Sequence, residues 1–266
     1  MNKVIILTNF DSISGRALLK ECIKQNIVIE EVILIKQNYK YYFKLFNFVK
    51  NRVGFFQSLI FSISKLLFDF LHENLYCKIE KIEKIILTNS IKYSIFNTQS
   101  NWQNQVSEYI DLKESKLILL GQIGILGTSF ELNRNDRLFL NCHPGKLPDY
   151  RGIDSFKWAI YKKDLDGFES TVHIVREKID SGEKLGFEKY DFKKIKWMFS
   201  DRELLIISGK FLAKFVKFLM HNEENLIEEI LQKGQKQEVK FLNFKMNIFL
   251  EINSFLKFIS LKNKLF

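Results

Sequence analysis

Short apolar runs alternate with a helical segment at the start of the chain, and this alternation constrains the fold more than any other feature. Residues 4–8 and 27–35 are β-rich runs, and residues 12–25 between them place their apolar side chains on one side of a helix. A strand, a helix and a strand at this spacing are typical of the opening unit of a parallel α/β sheet. The turn after the first strand lacks the GxGxxG spacing, so a dinucleotide-binding fingerprint is absent.

The same pattern continues downstream. Further strands are predicted at residues 93–97, 116–120, 138–142 and 171–175, and further helices at residues 102–109, 156–161 and 201–218. We therefore expect an α/β fold with a mostly parallel twisted sheet flanked by helices. Residues 1–190 are expected to form this catalytic α/β domain, with a helical insertion at about residues 36–75. Residues 191–266 are expected to form a small C-terminal helical or mixed extension.

Composition narrows the class of protein. The chain has 266 residues, of which 46% are hydrophobic and 27% charged, as in globular proteins. Its three cysteines have no paired spacing, which favours a reducing compartment over a disulfide framework. The first apolar run is too short for a signal peptide, and no apolar window is long enough to span a membrane. We expect a cytoplasmic location and no integral membrane segment.

A basic, aromatic segment stands out within the expected insertion. Residues 32–68 contain six Lys or Arg and no Asp or Glu, and the whole chain has a net charge of +10. One interpretation is a pair of helices whose aromatic faces pack in the core or against a partner subunit, which would allow a homodimer. Other interpretations are a face that binds an anionic membrane surface and a nucleic-acid site. Because residues 53–61 carry Phe on both sides, we expect burial and no nucleic-acid partner.

Polar side chains with catalytic potential follow the strand predicted at residues 138–142. Alternate residues of a strand share a face, so Asn141 and His143 should project together at its C-terminal end, where open parallel sheets bind ligands. An amide N–H beside an imidazole suits an acyl-type reaction. Asp180, in the loop after the next strand, can reach His143 and orient its ring. Both prolines of the chain, Pro144 and Pro148, lie in the loop that follows His143.

These motifs together resemble a known family. NCHPGKLPDYRG at residues 141–152, TVH at 171–173 and IDSG at 179–182 are similar to the signature of the 10-formyltetrahydrofolate-dependent formyltransferases. The family includes enzymes that act on glycinamide ribonucleotide, on methionyl-tRNA and on sugar nucleotides. The resemblance covers about residues 116–185 and implies a formyltransferase-type Rossmann-like fold, with 10-formyltetrahydrofolate as co-substrate. No Cys, His or Asp grouping has metal-ligand spacing, so we expect no metal.

The resemblance also implies roles for individual residues. Asn141, His143 and Asp180 fall on the catalytic positions. The residues implied to bind the folate are Gln122, Ile123, Gly124, Ile125, Leu126, Glu177, Lys178 and Ile179. The candidates for substrate binding are Lys146, Pro148, Tyr150 and Arg151. His173 is expected to be structural, and Cys142 to point into the core.

The acceptor amine is inferred from departures within the resemblance. Residues 9–15 lack the glycine-rich phosphate loop of the glycinamide ribonucleotide enzymes, and Gly145 replaces a Ser common in the purine and tRNA enzymes. We therefore expect a nucleotide-linked amino sugar of the kind used to build surface polysaccharide such as lipopolysaccharide. Glycinamide ribonucleotide and methionyl-tRNA are alternatives. A non-catalytic folate- or nucleotide-binding protein is an alternative of another class, disfavoured by the three intact catalytic positions. An RNA-binding protein is a further alternative, disfavoured because stacking needs exposed aromatic side chains whereas the Phe-rich pattern is typical of a core.

Overall fold

A central sheet of seven strands organises the chain. The computed structural model describes residues 3–73, 79–98, 101–132, 136–222, 242–243 and 245–265. The strands of the sheet are β1 (Lys3–Asn9), β2 (Val28–Lys36), β3 (Tyr93–Asn97), β4 (Leu117–Gly121), β5 (Leu138–His143), β7 (Glu169–Ile174) and β8 (Lys184–Lys189). Two short strands, β6 (Arg151–Gly152) and β9 (Leu242–Asn243), pair with each other. The helices are α1 (Ile13–Lys24), α2 (Tyr39–Val53), α3 (Phe55–Leu71), α4 (Ile82–Thr88), α5 (Trp102–Asp111), α6 (Ser155–Lys162), α7 (Ser200–Asn222) and α8 (Ile248–Leu265).

The strand order of the sheet is β3-β2-β1-β4-β5-β7-β8. The first five strands in that order pair in parallel, whereas β7 is antiparallel to β5 and β8 is antiparallel to β7. The prediction of a mostly parallel sheet flanked by helices is confirmed. The chain leaves β1 toward β2 on one side and returns to β4 on the other. In such sheets ligands bind outside the carboxyl ends of the strands at this switch point.

Helices cover both faces of the sheet. α1, α4 and α7 pack on one face through buried side chains such as Leu18, Ile86 and Val216, and α5 packs on the other face. α7 lies directly on α1, because a Cβ at Gly209 would stand 2.5 Å from the carbonyl oxygen of Ser14. α7 begins beyond residue 190, so part of the expected C-terminal extension covers the sheet itself. Residues 223–241 lie outside the described residues.

A third apolar cluster joins α6 to α8. Phe156 of α6 contacts Phe258 of α8, and their ring centroids are 6.4 Å apart. The buried ammonium of Lys157 adds an ionic link, since it lies 2.5 Å from Glu251 of α8 and 3.3 Å from Asp201 of α7. Burial alone would lower the pKa of Lys157, but these carboxylates raise it, so the ammonium stays charged. These contacts fix α8 beside α6.

The aromatic segment was expected to be buried in the core or at a subunit contact, and the first alternative is wrong for α3. Phe55, Phe56 and Phe70 are all more than half exposed, whereas Ser58 and His72 are buried. The physical reason is that polar groups at the end of α3 form ion pairs with α7, which turns the apolar side of the helix outward. Within the described ranges, no helix combines the length and the apolar character needed to cross a bilayer.

Candidate active site

The pairing of β5 with β7 places two polar side chains directly opposite each other. Asn141 of β5 is paired with His173 of β7 in the antiparallel ladder, and residues in such a pair project from the same face. The Asn141 amide donates a hydrogen bond of 3.2 Å to Nε2 of His173. His173 Nδ1 donates to the Ile174 carbonyl at 2.8 Å. The hydrogen bonds therefore fix a neutral tautomer of His173 that accepts from Asn141.

Asp180 links the two histidines. Its Oδ2 atom lies 3.3 Å from Nδ1 of His143, and its Oδ1 atom lies 3.7 Å from Nε2 of His173. The backbone N–H of Gly152 also donates to this carboxylate at 2.9 Å. The structure thus brings together Asn141, His143 and Asp180, the three positions that sequence analysis singled out as catalytic.

The second ring nitrogen of His143, Nε2, also has hydrogen-bond partners. Its Nε2 atom lies 2.7 Å from the carbonyl oxygen of Tyr150 and 2.9 Å from the hydroxyl of Ser155. The side chain is buried, and a Cβ at Gly145 would stand 3.0 Å from Nε2. Nε2 donates to the Tyr150 carbonyl, and Nδ1 faces the Asp180 carboxylate. His143 consequently stands behind Asp180 rather than on the surface of the cleft.

Asp180 and His173 both have pKa values below their usual ranges, although burial acts on them in opposite directions. Burial alone would raise the pKa of Asp180, but the nearby His143, His173 and Arg151 and the hydrogen bond from the Gly152 N–H hold it below its usual range. Burial lowers the pKa of His173 and outweighs the attraction of Asp180. Near neutral pH the site therefore contains an ionised carboxylate beside a neutral His173.

The loop that carries Asp180 is held from two directions. The buried guanidinium of Arg151 donates to the carbonyls of Ile179 and Asp180, the latter at 3.0 Å. Gly182 packs directly on β7, where a Cβ would lie 1.7 Å from the Ile174 carbonyl oxygen. Asp180 itself adopts a positive φ of 46°, which Asp tolerates better than most residues. These contacts fix the position of the carboxylate.

A cleft opens in front of Asn141, His173 and Asp180. Besides these three, its walls are Leu120, Gln122, Ile123, Gly124, Ile125, Leu126, Val175, Arg176, Glu177 and Ile179. Ile123 and Leu126 also belong to the core, whereas Ile125 is 64% exposed. Gln122 and Gly124 have positive φ angles, so this loop turns sharply as it leaves β4. Apolar side chains and exposed backbone groups in one slot suit a flat heteroaromatic ring.

Seven of the eight residues implied to bind folate line this cleft, and Lys178 does not. The four candidates for substrate binding lie elsewhere. Tyr150 is buried in the α6–α8 cluster and donates to Asp164, and Arg151 holds the loop of Asp180. Lys146 lies 3.8 Å from Asp149, and Pro148 follows a cis peptide bond. Tyr150 and Arg151 were expected to contact the substrate. Both are instead buried, and internal hydrogen bonds occupy their polar groups.

Sequence analysis did not assign two residues, His173 and Ser155, to the site. His173 was expected to be structural, but it contacts both Asn141 and Asp180 and lines the cleft. Ser155 was not singled out, yet its hydroxyl contacts His143. The signal for His173 lay in the register between β5 and β7, which the spacing of the two motifs does not specify. Cys142, on the opposite face of β5, is buried as expected, and burial raises the pKa of its thiol.

The arrangement defines a class of protein. An amide donor, an ionised carboxylate and two imidazoles meet beside an apolar slot at the carboxyl edge of a mostly parallel sheet. Amide donors and proton-accepting groups at such an edge are what acyl-transfer chemistry requires. Within the described residues, no group of three or more His, Cys, Asp or Glu side chains is placed to hold a metal ion. The class is a Rossmann-like α/β protein with a polar cleft whose groups suit acyl transfer.

Comparison with known proteins specifies this class further. The family described as Formyl transferase matches residues 71–192. The phosphoribosylglycinamide formyltransferase of Escherichia coli (strain K12) is 29% identical over 98 residues, which are 36% of this chain and 45% of the relative. The enzyme of the same description from Haemophilus influenzae is 30% identical over 88 residues, which are 33% of this chain and 41% of the relative. The alignments thus span less than half of the length of these curated relatives.

Similarity in structure extends over more of the chain. The crystal structure of glycinamide ribonucleotide transformylase 1 from Symbiobacterium toebii superposes with a TM-score of 0.53 at 12% identity, covering 90% of this chain and 95% of that one. At this level of identity the superposition supports the fold alone. Residues 71–192 are thus similar to the family described as Formyl transferase, and Asn141, His143 and Asp180 all lie within the matched range.

Proposed function

We propose that this protein transfers a formyl group from 10-formyltetrahydrofolate to a primary amine. The observation that carries the proposal is the position of Asp180, which lies at the cleft wall within 3.3 Å of His143 and 3.7 Å of His173. An ionised carboxylate beside an amide donor provides both functions that the reaction needs. One is a proton acceptor for the attacking amine, and the other is a donor to the formyl oxygen.

Asn141 is the residue that we assign to the formyl oxygen. One of its amide hydrogens is directed to Nε2 of His173, which leaves the second hydrogen for the cleft. Because neutral His173 can only accept at Nε2, it fixes which way the Asn141 amide faces. The N–H of Asn141 then stabilises the negative charge that develops on the formyl oxygen during attack. His173 acts through Asn141 as a positioning residue.

Asp180 is the residue that we assign to proton transfer. As the amine nitrogen bonds to the formyl carbon it loses a proton, which Asp180 accepts directly or through water. The bond between the formyl carbon and the folate nitrogen then breaks, and the proton passes to that nitrogen as it leaves. The products are an N-formyl amine and tetrahydrofolate. His143, behind Asp180, balances the charge of the carboxylate and holds it in place.

The cleft fits the folate donor in chemistry. Ile125 offers an exposed apolar surface for one face of a pterin ring, and Val175 lies on the wall as well. The sharply turned backbone at Gln122 and Gly124 and the loop at Glu177 to Ile179 supply N–H and C=O groups for the ring edge. When bound, the donor would supply the formyl group in front of Asn141.

For the acceptor we propose the amino group of a nucleotide-linked sugar. The supporting feature is the first turn of α1, where a phosphate of glycinamide ribonucleotide would require free backbone N–H groups. Here Ser12 caps the helix by accepting from the N–H of Gly15 at 2.9 Å. The Asn9 side chain donates to the Gln122 carbonyl at 2.6 Å. The Gly15 N–H in this turn is therefore already satisfied by Ser12.

Glycinamide ribonucleotide is the second candidate, because the curated relatives act on it according to their names. A formyl-transfer assay separates the candidates. The purified chain is incubated with 10-formyltetrahydrofolate and, in turn, amino-sugar nucleotides, glycinamide ribonucleotide and charged initiator tRNA, and mass spectrometry detects a product heavier by one formyl group. Product from a sugar nucleotide alone supports the proposal, and product from glycinamide ribonucleotide alone contradicts the choice of acceptor. Folate binding without any product would favour a non-catalytic binding protein.

A further inference from the structure

The orientation of α3 is specified by polar contacts with the body of the protein. Near its C-terminal end, Asp69 lies 2.5 Å from the guanidinium of Arg202 on α7. Arg202 also donates to His72 at 3.2 Å and to Glu73 at 2.9 Å, and Glu73 lies 2.8 Å from Arg16 of α1. These bonds direct the polar side of α3 inward. The helix therefore cannot rotate to bury its apolar side without breaking several ion pairs.

The outward side of α3 is a continuous apolar surface. Eight large apolar side chains at helical spacing are each at least 42% exposed: Phe55, Phe56, Leu59, Ile60, Ile63, Leu66, Leu67 and Phe70. We call these eight residues the α3 apolar face. Single exposed apolar side chains are ordinary, but a contiguous set of this size marks a surface that binds something.

α8 extends this surface. Gln57 of α3 accepts a hydrogen bond of 3.1 Å from the backbone N–H of Ile248, at the start of α8. α8 in turn exposes Phe249, Ile252, Phe255, Leu256 and Ile259. The ammonium of Lys245, just before α8, lies 4.7 Å from the centre of the Phe61 ring. Two neighbouring helices thus present apolar side chains to the outside, and the charge of Lys245 at their junction is paired with Asp154 at 3.0 Å.

The charge of residues 32–68 indicates what binds to the α3 apolar face. Residues 32–68, which include α2 and most of α3, contain six Lys or Arg and no Asp or Glu, and the chain as a whole has a net charge of +10. A second copy bound through a twofold axis would bring the same basic segment against itself. An anionic lipid surface would instead attract it. Amphipathic helices with bulky apolar residues and neighbouring Lys or Arg are typical of proteins that lie at a membrane interface.

We propose that the α3 apolar face docks on the surface of an anionic lipid bilayer. The aromatic and aliphatic side chains would enter the boundary between headgroups and acyl chains, while the net positive charge of residues 32–68 would attract the anionic headgroups. The protein would be peripheral, held by one helix face and released when salt screens the charges. This docking is independent of the reaction proposed above.

Vesicle sedimentation tests the proposal directly. The full chain is mixed with vesicles of phosphatidylcholine and phosphatidylglycerol in equal parts, or of phosphatidylcholine alone. We expect sedimentation with the anionic vesicles, and a bound fraction that falls about fivefold or more when salt rises from about 50 to about 500 mM. The double variant Phe56→Ser, Leu66→Ser should bind at least about tenfold more weakly, because two exposed side chains that insert into the bilayer are lost.

Leu112→Ser is the matched control, since Leu112 follows α5 and is 82% exposed outside the α3 apolar face. It should bind as the wild type does, and circular dichroism should show the same helix content in all variants. The proposal is wrong if the wild type does not sediment, if it binds both vesicle types equally, or if the double variant still binds. It is also wrong if light scattering shows a wild-type dimer that the double variant dissociates, because a second copy then covers the face.

Discussion

Replacing Arg151 distinguishes a positioning role from contact with substrate. The guanidinium is buried and donates to the carbonyls of Ile179 and Asp180. These bonds hold the loop that carries Asp180. Hydrogen bonds from a charged group contribute about 1.5–3 kcal/mol each, so the loss of two should destabilise this loop by about 3 kcal/mol or more. Since 1.4 kcal/mol corresponds to a factor of ten, Arg151→Met should lower kcat by about a hundredfold through misplacement of Asp180.

Steady-state kinetics with both substrates varied provide the assay. Arg151→Met should lower kcat with little change in the KM for the acceptor, and Arg151→Lys should recover part of the loss. Lys189→Met is the control, because Lys189 is exposed at the end of β8 and pairs with exposed Asp166 at 3.1 Å. It should leave kcat within about twofold of the wild type. An Arg151→Met variant with normal kcat and a raised acceptor KM would refute the positioning role and restore contact with substrate phosphate.

Four further outcomes follow from the site. Asn141→Ala should lower kcat by about a hundredfold without weakening folate binding in a fluorescence titration, because its N–H acts on developing charge. Ser155→Ala should lower kcat, and Ser155→Thr should recover part of the loss, because the Ser155 hydroxyl contacts His143 and helps to hold it beside Asp180. Burial holds the pKa of His173 below its ordinary 6.5. Both kcat/KM and the stability that depends on neutral His173 should therefore persist above pH 6.5 and decline only as the pH falls below it. A decline in kcat/KM centred above pH 6.5 that His173→Asn removes would contradict this. Activity should survive dialysis against EDTA, and recovery by a divalent ion after a loss would reveal a metal site.

The strands and helices of the sheet were predictable because each has a clear periodicity. The apolar runs at residues 4–8 and 116–120 became β1 and β4, and the amphipathic pattern at 201–218 lies within α7. Alternation along a strand also placed Asn141 and His143 on one face, and both contact the network around Asp180. Local pattern sufficed here, because secondary structure and side-chain direction along one element are local properties.

Contacts between elements were harder to predict. The role of His173 depends on the antiparallel register of β7 against β5, and a slip of one residue would have turned its side chain to the other face. The role of Arg151 depends on where the loop of Asp180 lies relative to β6. The outward apolar side of α3 depends on ion pairs with Arg202, more than 100 residues away in the chain. Composition alone favoured burial for that helix.

The assignment of Asp180 as the proton acceptor for formyl transfer is tested most directly by single-turnover chemistry. Wild type and Asp180→Asn are each mixed with labelled 10-formyltetrahydrofolate and a sugar-nucleotide amine, and the N-formyl product is measured over time. The wild type should form one product per donor consumed. Asp180→Asn should react at least about a hundredfold more slowly, with unchanged folate affinity and an intact fold. Product formation by Asp180→Asn at the wild-type rate, or no formylated amine from the wild type with any acceptor, would contradict the assignment.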